Sequence, residues 1–278
     1  MSKLTVYLKL KIKDMLTNPE LIGWGIGFVE FWVFMWLFVF SSGKVEAEYT
    51  KYFVQGNSAM AFSFLSLISI ASIGISLAYS FLYVSRSARF ITKFTKASPS
   101  IFLLEDFLGS LIALLIIVGI IYFSILAGSY IKWGIFPIPE NPVGVLIDLI
   151  LSGVSMYWFS YMLILVLIVT RRTGSLTMAS YTPLILAFIS YSQLWVDLGN
   201  LVYIIPFCSI PPLIMYHATG AIPPIGSYLW WLSSSSLLTP VNLRLAAIST
   251  FSWMAIFIII SLILLRKSRG VPVEEIRR

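Results

Sequence analysis

The chain has 278 residues, of which 59% are hydrophobic and 11% charged, with a formal net charge of +7. A soluble domain is about a quarter charged, so this composition excludes a water-soluble fold and predicts an all-α polytopic membrane protein, a single membrane domain over residues 1–278. The single cysteine, Cys208, excludes an internal disulfide, and the single histidine, His217, excludes the two-histidine zinc sites of helical metalloproteases.

Residues 1–18 read as an interfacial elbow helix. Leu4, Leu8, Ile12, Met15 and Leu16 share one helical face, while Lys3, Lys9 and Lys13 lie on the other, the pattern of a helix lying flat on a membrane surface. Asn18-Pro19-Glu20 supplies an N-cap, a first-turn proline and a first-turn acid, so a new helix starts there in a new direction. The apolar run Leu21 to Phe40 is too long for a signal-peptide core and has no clear cleavage site after it, so it reads as a retained first span. Glu30 sits near its middle. An ionisable group there is expensive, which makes Glu30 a candidate for the substrate pathway, with structural pairing to a neighbouring helix as the equal alternative.

Five further spans are predicted, at Ser58 to Leu82, Phe102 to Ile131, Val143 to Val169, Leu176 to Leu198 (with Pro183 as a kink) and Leu245 to Leu265. Residues 200–244 carry Pro206, Pro211, Pro212, Pro223, Pro224 and Pro240 in a strongly apolar stretch whose unbroken pieces are short. They are expected to form re-entrant outer helices before the sixth span. With both termini inside, 15 of the 19 Lys and Arg residues fall on the cytoplasmic side. Only Lys44, Lys51, Lys132 and Arg244 fall outside, so the positive-inside rule sets an N-in, C-in topology. It also accounts for the basic charge, without nucleic acid as a partner.

Residues 83–100, YVSRSARFITKFTKASPS, join the second span to the third. Arg86, Arg89, Lys93 and Lys96 are spaced three, four and three apart and so form one helical stripe, with Phe90 and Phe94 on other faces and Ser98-Pro99 as the stop. A juxtamembrane basic cluster holds anionic lipid headgroups in many membrane proteins, while the regular stripe with its aromatics also suits a protein contact. Asp148, Asp197, Glu46, Glu48 and Glu140 read as solvated residues at outer ends and loops. Glu105 and Asp106 suit the start of a helix, with Lys93 or Lys96 as partners. Trp133, Trp195, Trp230 and Trp231 read as interfacial anchors, and His217 as a polar interface residue.

The order of these elements resembles the ABC-2 family of ABC-transporter membrane subunits. Tyr52-Phe53-Val54-Gln55-Gly56 looks like that family's aromatic opening to its second span. The stretch from Arg89 to Ser100 is similar to its coupling helix, although Phe90 stands where the family favours glycine. Pro206 to Pro212 and Thr239-Pro240 to Arg244 are similar to its outer proline segments and the arginine ahead of the last span. The resemblance implies an exporter-type permease of the cell membrane whose coupling helix (Arg86, Arg89, Phe90, Lys93, Phe94, Lys96, Pro99) docks on a separate ABC ATPase subunit. It also implies a second permease copy. The chain contains no G-x-x-x-x-G-K-[ST] phosphate loop, so it is expected not to be an enzyme: ATP and Mg would belong to the partner, and no cofactor, metal or catalytic residue is expected in this chain. A hydrophobic or amphipathic substrate (drug, lipid or peptide-like) is the leading reading, with a glycan exporter or a non-transporting scaffold as alternatives.

Overall fold

A computed structural model describes residues 9–10, 12–13, 17–41, 49–74, 81, 99–233 and 238–267. The described residues are helical almost throughout and include no strand. Four of the helices are long and apolar enough to cross a membrane: Thr50–Gly74, Asp106–Trp133, Pro142–Thr170 and Leu243–Lys267. Most of the predicted elbow lies outside the described residues.

The first helix, α1, runs through Pro19–Ile22, Gly23–Gly27, Phe28–Phe34 and Met35–Phe40, alternating α and π hydrogen bonding. It begins where the Asn-Pro pair predicts, with the Ile22 N–H donating to the Asn18 carbonyl. Its far end is fixed by Lys132, whose ammonium donates to the Leu37 carbonyl and, at 2.7 Å, to that of Ser41. A cation there satisfies carbonyls that a helix C-terminus leaves bare.

Thr50–Gly74 is α2, the centre of the bundle. Nearly every residue from Val54 onward is buried, including Asn57, Ser58, Ser63, Ser66, Ser69 and Ser72. Small side chains let neighbouring backbones come close. Several of these hydroxyls bond back to their own helix, Ser63 to the Ala59 carbonyl and Ser69 to that of Leu65, which satisfies them without a partner from another helix. Helix α3, Pro99–Trp133, runs antiparallel to α2: Phe53 meets Trp133, Ser58 Oγ lies 3.0 Å from Ser129 Oγ, and Phe62 meets Tyr122. Pro99 opens α3, as the Ser-Pro pair predicts.

Helix α4 is Pro142–Thr170, capped by the Asn141 side chain, which accepts from the Gly144 N–H at 2.9 Å. It ends at Arg171, which adopts the left-handed conformation (φ 56°) while the Arg172 N–H bonds back to the Leu167 carbonyl. Along the α3–α4 seam, Leu114 fills the space over Gly153, and Asp106 reaches Tyr157.

The predicted fifth span is shorter than expected. Helix α5 covers Leu176–Tyr191, keeps Pro183 inside it and gives way to a single 3-10 turn at Ser192–Leu194. Its end lies inside the bundle, where Tyr191 packs on Phe64 of α2 and Ser190 Oγ donates to the Phe207 carbonyl. After the short α6 (Leu201–Ile204), α7 (Ile210–Thr219) starts in the interior with Pro211 and Pro212 in its first turn. Along α7, Phe207 faces Phe159 and Phe257, Ser209 Oγ lies 2.9 Å from Thr250 Oγ1, and His217 reaches Asp148. Phe159 is about 25 Å along α4 from Pro142, so α7 starts deep in the bundle and climbs to the end where α4 begins. It is antiparallel both to α4 and to the last helix, α9 (Leu243–Lys267), so α4 and α9 run parallel. Between them α8, Tyr228–Ser233, leans on α2 through Tyr228–Phe64 and places Leu232 over Gly56. Two backbone bonds, Ile225 N–H to the Thr239 carbonyl and Val241 N–H to that of Pro223, close the loop around α8.

Candidate functional site

Three polar pairs and one helix break are the places where chemistry-bearing side chains enter this apolar bundle. Glu30 lies half-buried on α1 and accepts a 2.7 Å hydrogen bond from Ser124 Oγ of α3. Ser124 also lies on a shallow, wide-open groove along one side of α3, lined by residues of that helix alone, among them Leu115, Ile116, Gly119, Phe123 and Ala127. The structural pairing expected as one alternative for Glu30 is therefore present. The carboxyl pairs with a neighbouring helix, and its partner borders an apolar groove.

Asp106 is 6% exposed and accepts a 3.0 Å hydrogen bond from the Tyr157 hydroxyl of α4. The expectation of an acid at the first turn of its helix is corrected by α3 beginning at Pro99, which carries Asp106 into the packed seam, where Phe107 and Phe81 crowd Tyr157. A half-open crevice beside the pair, lined by Ile73, Phe107, Ser110, Leu114, Gly153 and Tyr157, has room for about one water-sized sphere at roughly 10 Å³.

Asp148 and His217 are the third pair. Asp148 was expected in solvent, but it is 6% exposed on the inner face of α4, because α7 packs across that face. With the carboxylate ionised, His217 Nδ1–H donates to Asp148 Oδ2 at 2.7 Å. The imidazole rests on Gly144, where a Cβ would come within 2.7 Å of the ring. The backbone adds two more ties, from the Glu140 N–H to the Ala218 carbonyl and from the Asn141 N–H to the His217 carbonyl. Gln55 Nε2 reaches Glu140 Oε1 at 3.4 Å, so α2 joins this end of the bundle. Sequence spacing could not reveal a partner 69 residues away.

The break lies between α5 and α7. Fully buried Gln193 spans it, donating from Nε2 to the Ser190 carbonyl and to that of Cys208, both at 3.1 Å. This replaces the bonds lost when the helix stops, as buried irregular backbone in a membrane protein requires.

Of the residues expected to dock an ATPase, Arg86, Arg89, Phe90, Lys93, Phe94 and Lys96 lie outside the described residues, and Pro99 stands at the start of α3. Among the tryptophans expected at interfaces, Trp195 and Trp230 are exposed, whereas Trp133 and Trp231 pack against the core. No group of three His, Cys, Asp or Glu side chains close enough to hold a metal occurs among the described residues. Neither the protein-family models nor the curated proteins searched contain a match to this chain.

Proposed function

We infer that the chain is the transmembrane subunit of an ATP-driven ABC exporter. It crosses the cell membrane six times, with both termini in the cytoplasm, and moves a hydrophobic or amphipathic molecule by alternating access between two permease copies. The observation that carries this reading is the basic stripe Arg86, Arg89, Lys93 and Lys96 between the second and third spans of a chain that has no phosphate loop of its own. Such a stripe offers a docking face, and the energy must come from another chain.

The broken passage ahead of α9 supports the same reading. In this topology α1, about 30 Å long, is the first crossing. The shortened α5 is the fifth, and α7 and α8 re-enter from the outer side, so that the Asp148–His217 pair lies toward the outside and the Asp106–Tyr157 pair toward the cytoplasm. Discontinuous helices whose backbone is satisfied by buried side chains are a recurrent device for lining a path through a membrane protein. Glu30, with its Ser124 partner at the edge of an apolar groove, is the candidate pathway residue for an amphipathic substrate.

The test is co-purification in mild detergent followed by coupled turnover. The wild-type chain should bring down an ATPase bearing a phosphate loop, and reversing the charge of Arg89 and Lys93 together should abolish coupled ATP hydrolysis while leaving membrane insertion intact. Retention of the ATPase with unchanged coupled turnover in the reversed variant would overturn the docking assignment.

A further inference from the structure

The break between α5 and α7 gathers polar atoms that the protein itself does not satisfy. Gln193 Nε2 donates one hydrogen to the Cys208 carbonyl and shares the other between the Ser190 carbonyl and Ser190 Oγ at 3.2 Å, yet its Oε1 has no partner although the residue is fully buried. Tyr228, at the start of α8, is fully buried too, its ring edge-on to Phe64 at 5.1 Å and its hydroxyl without a partner. Both residues border the break: Gln193 bonds to the Cys208 carbonyl, and Ser227, next to Tyr228, donates from Oγ to the Trp195 carbonyl at 3.4 Å, two residues beyond Gln193.

The backbone here is also unusual. Phe207 (φ 69°) and Ser227 (φ 57°) hold the left-handed conformation without being glycines, and they immediately precede Cys208 and Tyr228 respectively. Strain of this kind persists where surrounding structure over-determines it, and it clusters at sites with a task. Gly226 completes the fit, since a Cβ there would lie 2.5 Å from the Val196 carbonyl oxygen.

An orphan amide oxygen accepts, and an orphan phenol both donates and accepts. A water molecule complements the pair, donating to Gln193 Oε1 and accepting from the Tyr228 hydroxyl. We propose that the α5–α7 break is a structural water site, in which internal water bridges Gln193 Oε1 and the Tyr228 hydroxyl beside Cys208 and gives two interrupted helices a hydrogen-bonded hinge. A cation would lack a buried countercharge, because Asp197 is exposed and accepts from the Gly199 N–H. Water also suits a hinge, because it exchanges partners as the two helices move and leaves no bare carbonyl behind.

Radiolytic hydroxyl-radical footprinting of the purified full-length chain tests this directly, since radicals formed from bound water modify the side chains beside it. Cys208 is the only cysteine in the chain, and Met215, equally buried on α7, is an internal control once each rate is scaled to that of the same residue in the unfolded chain. The expected result is modification of Cys208 several-fold above Met215 in the wild type. Cys208 modification at the Met215 level would overturn the proposal without any variant being needed. Melting temperature gives a second readout. At a hydrated site Tyr228→Phe removes a used hydrogen bond and lowers the melting temperature, and Gln193→Leu combined with it costs no more than the larger single change. At a dry site Tyr228→Phe deletes an unsatisfied hydroxyl and raises the melting temperature, which would likewise overturn the assignment.

Discussion

Replacing His217 with alanine should cost stability although the ring is partly exposed, and the size of the loss follows from its surroundings. The imidazole is the partner found for the Asp148 carboxylate, whose side chain is 8% exposed, while the His217 side chain is 27% exposed. Removing one member of a fully buried pair costs about 3–5 kcal/mol, whereas a lost hydrogen bond to a charged group costs about 1.5–3 kcal/mol. The partial exposure of His217 lets water reach the abandoned carboxylate, so the lower range applies, and about 2–3 kcal/mol is expected. For a chain of this length that is a fall in melting temperature of about 4–9 °C in detergent. Asp148→Asn should cost less, about 1 kcal/mol, because the amide oxygen still accepts from Nδ1–H. Gly144→Ala should mimic part of the effect, since a Cβ within 2.7 Å of the ring displaces it. The deciding assay is a double-mutant cycle of Asp148→Ala and His217→Ala read by thermal unfolding. A coupling of at least about 1 kcal/mol is expected, and additivity within about 0.5 kcal/mol would refute the claim that this pair holds α7 against α4.

Two further outcomes follow from the packing. Tyr157→Phe removes the hydroxyl that donates to Asp106 and should destabilise by about 1.5–3 kcal/mol, seen as a lower melting temperature; an unchanged one would show that the carboxyl has another sufficient partner. Gly226→Ala and Gly128→Ala should behave differently although both are tight. A Cβ at Gly226 meets backbone (Val196 oxygen and Asp197 Cα), whereas one at Gly128 meets the swinging tip of Leu37 at 2.5 Å. The first should lose folded yield in size-exclusion chromatography, and the second should cost at most about 1–3 kcal/mol; equal behaviour would refute the distinction.

Much of the helical framework was legible from local signals. The Asn-Pro start of α1 and the long apolar runs of α3, α4 and α9 need only neighbouring residues to be recognised. Span 5 was not, because Pro183 looked like the interruption and stayed within the helix, while the real end came at Ser192, where Gln193 supplies side-chain bonds to residues 190 and 208. Asp106 and Asp148 were misplaced for a related reason. Their burial depends on which helix covers them, and Tyr157 and His217 arrive from 51 and 69 residues away. One signal was present and unread: Ser63, Ser66, Ser69 and Ser72 recur every third residue, which on a helix winds small side chains round half of its surface and suits close packing on more than one side.

That serine-lined helix has a consequence for how the protein is made. Of the four membrane-length helices α2 is the least apolar, and its most apolar stretch is wholly covered by the rest of the chain. A segment that ends up touching no lipid gains little by entering lipid alone. Its integration during synthesis should therefore wait for α3, whose Ser129, Tyr122 and Trp133 it meets, so that the two leave the insertion machinery as a hairpin rather than one at a time.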